Sequence, residues 1–111
     1  MSNALIDVLL PCYNSSQTIS KSIDSLLAQD FTNFRCIVLD NSSTDSTFQI
    51  VKNLVLDDSR FLLISNTQNL GVASSFHRLI NMAKAPFLIF LAADDYFHPQ
   101  CLSLLYQSLS S

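Results

Sequence analysis

Four short apolar runs alternate along this chain with four stretches of helical spacing, and that alternation constrains the fold more than any other feature. The runs are Leu5–Leu10, Phe34–Leu39, Arg60–Ile64 and the apolar part of Phe87–Tyr96. Each has strand length; Phe34–Leu39 reads as a buried strand, and the apolar part of Phe87–Tyr96 as one buried on both faces of a parallel sheet. Between them, Ile19, Ile23, Leu26 and Leu27 recur at i, i+4, i+7 and i+8, one face of a helix that fades near Gln29 and Asp30. Phe48, Val51 and Val55, with Ile50 and Leu54 beside them, mark a second helix. Val72, Phe76, Leu79, Ile80 and Ala83 mark a third. Leu102, Leu105 and Leu109 mark a fourth, with His98-Pro99 at its start, since proline suits the first helical position. Parallel neighbours need long crossovers, and helices supply them. The expectation is therefore α/β: a mainly parallel sheet, helices on both faces, right-handed crossovers. Pro11 should stop the first strand, Asn14, Ser15 and Ser16 should cap the first helix, and Ser43 or Asp45 the second.

At 111 residues the chain, 1–111, is expected to be a single domain. Apolar residues make up 49% and charged residues 14%, which excludes a disordered chain. A net charge of −3 without any basic run removes the electrostatic footprint of a nucleic-acid binder. No apolar stretch has the length of a membrane span, and the first residues lack the basic-then-apolar layout of a signal peptide. A cytoplasmic location is the expectation. Ser2-Asn3-Ala4 reads as a cloning scar and is assigned no element. Cys12, Cys36 and Cys101 fit no zinc spacing and no disulfide framework, and are expected to be buried thiols.

In a parallel sheet the strand ends share one edge, and ligands bind there. Three polar segments fall at that edge: Pro11–Asn14, Asp40–Asp45 and Ala92–Asp95. Taken singly, Asn14, Asp40 and Asp45 are ordinary turn or cap residues. The vicinal pair Asp94-Asp95 is less ordinary, because adjacent like charges repel and cost more when desolvated. A hard divalent cation removes that cost, and Mg²⁺ sites commonly combine one or two carboxylates with substrate phosphates. The competing reading makes Asp94 and Asp95 caps for the following helix. Asp40, acceptor-only, suits the donor edge of a base such as uracil or guanine.

The ordered motifs resemble those of a family-2 glycosyltransferase with the GT-A fold, a Rossmann-like architecture. The family's Pro-x-Tyr-Asn block is matched by Pro11, Cys12, Tyr13 and Asn14. Its Asp-Asp-Gly-Ser-Thr-Asp block is matched by Asp40-Asn41-Ser42-Ser43-Thr44-Asp45. Asn69-Leu70-Gly71 matches Asn-x-Gly, and Ala92-Ala93-Asp94-Asp95 with Pro99 matches Asp-x-Asp-Asp and its following proline. The resemblance implies inverting transfer from a UDP- or GDP-type nucleotide-diphosphate sugar to a saccharide or lipid-linked acceptor. It implies a substrate site from Pro11, Cys12, Tyr13, Asn14, Asp40, Asn41 and Asp94. It also implies a divalent metal, Mn or Mg, on Asp94 with Asp95 in support, acting as a Lewis acid on the departing diphosphate. Polysaccharide biosynthesis at the inner face of the membrane is the usual setting.

Five positions depart from the family pattern. Asn41 replaces an acid, Ser42 a glycine, and Ala92 the first Asp of Asp-x-Asp; Phe76 and His77 stand where Arg-Asn is usual. Arg78 is two residues from the expected arginine and is not given its role. His77 reads as a solvated surface residue and His98 as a helix-start residue. No residue suits the general base that deprotonates the acceptor. The chain is thus expected to be a donor-binding half of a longer enzyme, inactive alone, with an apolar surface that favours self-association. The departures motivate a second class, an inactive nucleotide-binding or protein-interaction module of the same fold. A dinucleotide-dependent oxidoreductase would need a glycine fingerprint after the first strand, and the sole glycine is Gly71.

Overall fold

The computed structural model describes residues 3–111, so Ser2 of the tripeptide Ser2-Asn3-Ala4 lies outside the described residues. Strand and helix alternate throughout: β1 (Ile6–Cys12), α1 (Ile19–Leu27), β2 (Phe34–Asp40), α2 (Thr47–Leu54), β3 (Phe61–Ser65), α3 (Val72–Met82), β4 (Phe87–Phe90) and α4 (Cys101–Ser110). The sheet has four strands in the order β3-β2-β1-β4. Every pairing is parallel, with Ile6 opposite both Phe34 and Phe87, and Cys36 opposite Phe61. The expected α/β class and parallel sheet are observed.

Side-chain alternation assigns the two faces. Ile6, Val8, Leu10 and Cys12 of β1 join Phe34, Cys36 and Val38 of β2 in one core with Ile19, Ile23 and Leu26 of α1, Val51 of α2 and Leu102 of α4. Leu9, Ile37 and Leu39 turn to the opposite face and meet Leu79 and Met82 of α3. Helices therefore cover both faces, unequally.

That inequality corrects two expectations. β4 is an edge strand, not one buried on both faces: Leu88 and Phe90 stay 43% and 37% exposed beneath the thinly covered face. The apolar stripe of α3 is also only partly used. Val72 and Ile80 are 70% and 48% exposed, while Ser75 and Leu79 are the buried pair. α3 leans on β1 and β2, so its outer apolar residues reach no second layer.

Two local expectations also change. Pro11 does not stop β1, which runs on to Cys12 opposite Asp40. β4 ends at Phe90, level with Leu9, so the N–H that Pro11 lacks would face no ladder partner. α1 starts at Ile19, later than the Asn14–Ser16 signal suggests, with no side-chain cap. The polar groups of Asn14, Ser15 and Ser16 bond to the loop after β2 instead.

Candidate functional site

The sheet register brings the predicted segments together at its carboxyl edge. Cys12, Asp40 and Ser65 end their strands side by side. β4 stops earlier, and the chain from Leu91 to Asp95 continues alongside. The first two loops are stitched by side chains. Asn14, at φ 48°, accepts from the Thr44 amide at 2.8 Å, and its own amide donates to Ser43 Oγ at 2.9 Å. The Ser15 amide donates to Thr47 Oγ1 at 2.8 Å and the Ser16 amide to Asp45 at 3.2 Å. Asp45 also accepts from Thr47's hydroxyl at 2.5 Å and amide at 3.0 Å; the N-cap of α2 is Ser46, not the expected Ser43 or Asp45, and Asp45 binds the first helical residue from one position before it. Thr47's hydroxyl, ahead of the other bonds, draws the Asp45 carboxyl down to a pKa of about 2.

Asp40 is buried, and its carboxylate is engaged within the chain. It accepts from the Ser43 amide at 3.1 Å, from Ser43 Oγ at 2.5 Å and from the Cys12 thiol at 3.8 Å. Burial first, and the Asp40 charge second, push the Cys12 thiol up to about 12, so Cys12 is a protonated donor near neutral pH. Ser42, at φ 60°, takes the left-handed conformation where the resembled block has glycine; Asn41, more tolerant of it, is not the residue used.

Asn41 is the centre of an amide network that sequence reasoning missed. Its Oδ1 accepts from Asn66 Nδ2 at 2.9 Å and the Leu70 amide at 3.0 Å, and its Nδ2 donates to Asn69 at 2.9 Å. Asn66 reaches on to Ser75 Oγ at 3.3 Å, and Arg78 donates to Asn66 at 2.7 Å and to the Ser65 carbonyl at 3.2 Å. Arg78 therefore braces the β3–α3 connection. His77 is exposed and bonds Asn81 at 3.1 Å, while His98 Nδ1 accepts from the Gln100 amide at 3.2 Å at the approach to α4. The signal for the network was the cluster of short amides and hydroxyls around Gly71, which periodicity does not read.

Asp94 and Asp95 differ. Asp95 Oδ1 accepts from the Tyr96 amide at 2.8 Å. Asp94 is exposed and has no hydrogen bond or ion pair among the described residues. Beside them lies a cavity of about 290 Å³, lined by Pro11, Cys12, Tyr13 and Asn41, by Phe76 of α3, and by Leu91, Ala92 and Ala93. Phe76 meets Phe90 edge-on at 4.7 Å, forming an apolar wall where the resembled pattern has arginine. Asp40 and Asp94 stand outside the cavity lining. A metal fit can be judged from the donors. Asp94 offers a free, accessible carboxylate oxygen of the type hard cations prefer. No group of three His, Cys, Asp or Glu converges among the described residues, so a cation here would draw its other ligands from phosphate and water.

Parallel strands, a cavity at their carboxyl ends and an unpaired carboxylate beside it make this an α/β domain with a candidate ligand site at the sheet edge. The sequence profile described as Glycosyl transferase family 2 matches residues 7–111, and the chain belongs to that family, with its GT-A fold. It is 33% identical over 93 residues to the UDP-Glc:alpha-D-GlcNAc-diphosphoundecaprenol beta-1,3-glucosyltransferase WfaP of Escherichia coli, covering 84% of this chain and 36% of that protein. The crystal structure of S. aureus TarS 1-349 in complex with UDP superposes with a TM-score of 0.88 at 27% identity, over 99% of this chain and 32% of TarS 1-349. The mannosyltransferase PcManGT from Pyrobaculum calidifontis, in complex with GDP-Man and Mn²⁺, shares the fold at a TM-score of 0.88 and 21% identity, over 96% of this chain and 32% of its own. The chain thus spans roughly a third of these relatives.

Proposed function

We propose that these residues form the donor-binding half of a glycosyltransferase, holding a nucleoside diphosphate sugar at the carboxyl edge of the sheet for inverting transfer. The observation that carries the reading is the free Asp94 carboxylate next to a cavity walled by the Pro11–Tyr13 segment. Tyr13, 45% exposed, offers a ring face to the base. The Asn41 network fixes the far wall, and the apolar Phe76–Phe90 wall excludes water from one side. Asp40, buried and held by Ser43 and Cys12, acts on the base through the loop it fixes, which shapes the base subsite. Asp94, supported by Asp95, would hold Mn²⁺ or Mg²⁺; when bound, that ion neutralises charge on the departing diphosphate. WfaP is named for a UDP-glucose donor and a diphosphoundecaprenol-linked acceptor, and TarS binds UDP, which supports a nucleotide donor and a saccharide or lipid-linked acceptor. Such a reaction belongs on the cytoplasmic side, at the inner face of the membrane. Among the described residues, no helix is long and apolar enough to cross a membrane. Acceptor activation is not assigned to these residues.

Calorimetric titration with UDP and GDP, with and without Mn²⁺, tests the reading. Binding of one nucleotide, strengthened by Mn²⁺, is the expected result. No heat from either at millimolar concentration would sink it. Asp40→Ala should narrow the difference between UDP and GDP.

A further inference from the structure

α1 turns two polar side chains, Ser22 and Ser25, toward the segment that carries Asp94, and Gln29, just past the end of the helix, adds a third. Ser22 is fully buried, and its hydroxyl lies against three carbonyl oxygens of that segment. These are the carbonyls of Ala92 at 3.4 Å, Ala93 at 3.0 Å and, closest, Asp95. One turn on, Ser25 Oγ accepts from the Phe97 amide at 3.1 Å and donates to the Ser22 carbonyl at 2.7 Å. Gln29, 5% exposed, donates to the His98 carbonyl at 2.7 Å and accepts from the Leu102 amide at 3.0 Å. Lys21 sits over the Tyr96 ring at 4.0 Å. Ser22 and Ser25 are spaced i and i+3 on one face of α1, and with Gln29 in the loop that follows they grip the segment from Ala92 to Leu102.

The grips are not equivalent. Gln29 holds the approach to α4. Ser22 holds the turn closed by the Asp95 amide on the Ala92 carbonyl at 3.0 Å, and Asp94 is inside that turn. Asp94 has no side-chain partner to orient it, so the backbone beneath it sets where its carboxylate stands. Among the described residues, the one side-chain donor to that turn is the buried Ser22 hydroxyl, which lies within reach of three of its carbonyls. We propose that Ser22 is a positioning residue: through the Ala92–Asp95 turn it fixes the Asp94 carboxylate for the cation that accompanies the donor. This rests on the donor-site reading above.

Three variants of the full chain, Ser22→Ala, Gln29→Ala and Asp94→Ala, are compared by Mn²⁺ titration in the presence of UDP, by amide hydrogen exchange and by melting temperature. Ser22→Ala should lower Mn²⁺ affinity roughly tenfold, in the range seen when groups supporting a metal ligand are removed. It should also speed exchange at the Asp95 amide while β1 amides stay protected. Gln29→Ala should lower the melting temperature and leave Mn²⁺ affinity within about twofold, an effect too small to separate from ordinary context. Wild-type affinity and exchange in Ser22→Ala, or equal loss of affinity in Gln29→Ala, would overturn the proposal. Should Ser22→Ala fail to fold, Ser22→Cys keeps the volume with a weaker donor, and the same comparison decides. A wild-type protein that binds no Mn²⁺ with UDP contradicts the donor-site reading, and the exchange data then decide the role of Ser22 alone.

Discussion

Ser42 holds a left-handed backbone, at φ 60°, without glycine's freedom. Such a conformation costs an L-residue about 1–2 kcal/mol, partly offset because glycine loses more entropy on folding. Ser42→Gly should therefore stabilise the protein by about 0.5–1 kcal/mol in urea denaturation. Gly71 is the converse case, at φ 86° with open space around its missing Cβ. Gly71→Ala should cost about 1–3 kcal/mol from backbone strain alone. Asp45 gives a pH signature. Its folded pKa, about 2, lies below the ordinary 3.8, so its contribution is present above that ordinary value and is lost as pH falls through about 2. A carboxyl NMR titration should find the low midpoint, and Thr47→Val should move it back up. At this scale the sequence was legible in residue type and much less in partner. Asn14 was recognisable as a turn former, but its bond to Thr44 depends on two loops that only the sheet register brings together.

Elements were read well where packing and periodicity agree and poorly where they part. The strands of the sheet centre were plain because they are apolar on both faces and covered on both. β4 has the same composition but lies at an edge, and composition alone does not distinguish the two. On α1, Ser22 sits within the buried stripe of Ile19, Ile23 and Leu26, and a hydroxyl on such a stripe signals a buried partner. Asp7 is the same lesson on a strand. It is 1% exposed and joins three elements, accepting from Arg35 at 3.0 and 3.3 Å and from the Lys84 and Ala85 amides at 2.7 and 2.9 Å. Burial pulls its pKa up, but the Arg35 bond and then the Ala85 and Lys84 amides outweigh it, and the net direction is down. Its contribution is thus present above the ordinary carboxylate range and fades as pH falls through the depressed value. Asp7→Ala leaves Arg35 and two amides without their acceptor and should cost about 3 kcal/mol in denaturant unfolding.

For the whole molecule, the α/β class and the gathering of the polar segments at one sheet edge followed from the order of elements, and the family from the order of motifs. The unequal cover of the two faces did not follow, because it depends on where α3 leans. Leu62 on β3 and Leu88 on β4, at opposite edges of the sheet, remain 38% and 43% exposed on the thinly covered face. Self-association through that face is expected, and Leu88→Lys should lower the sedimentation-derived mass at high concentration, since an edge lysine opposes strand pairing. The structure divides the two adjacent acids into a free carboxylate, Asp94, and one tied to the Tyr96 amide, Asp95. The most direct measurement is UDP affinity in Mn²⁺ for wild type, Asp94→Ala and Asp95→Asn. Asp94→Ala should lose affinity on the order of 100-fold, about 2.7 kcal/mol, and Asp95→Asn much less. Equal affinity in wild type and Asp94→Ala, or the larger loss in Asp95→Asn, would contradict the metal-holding role of Asp94.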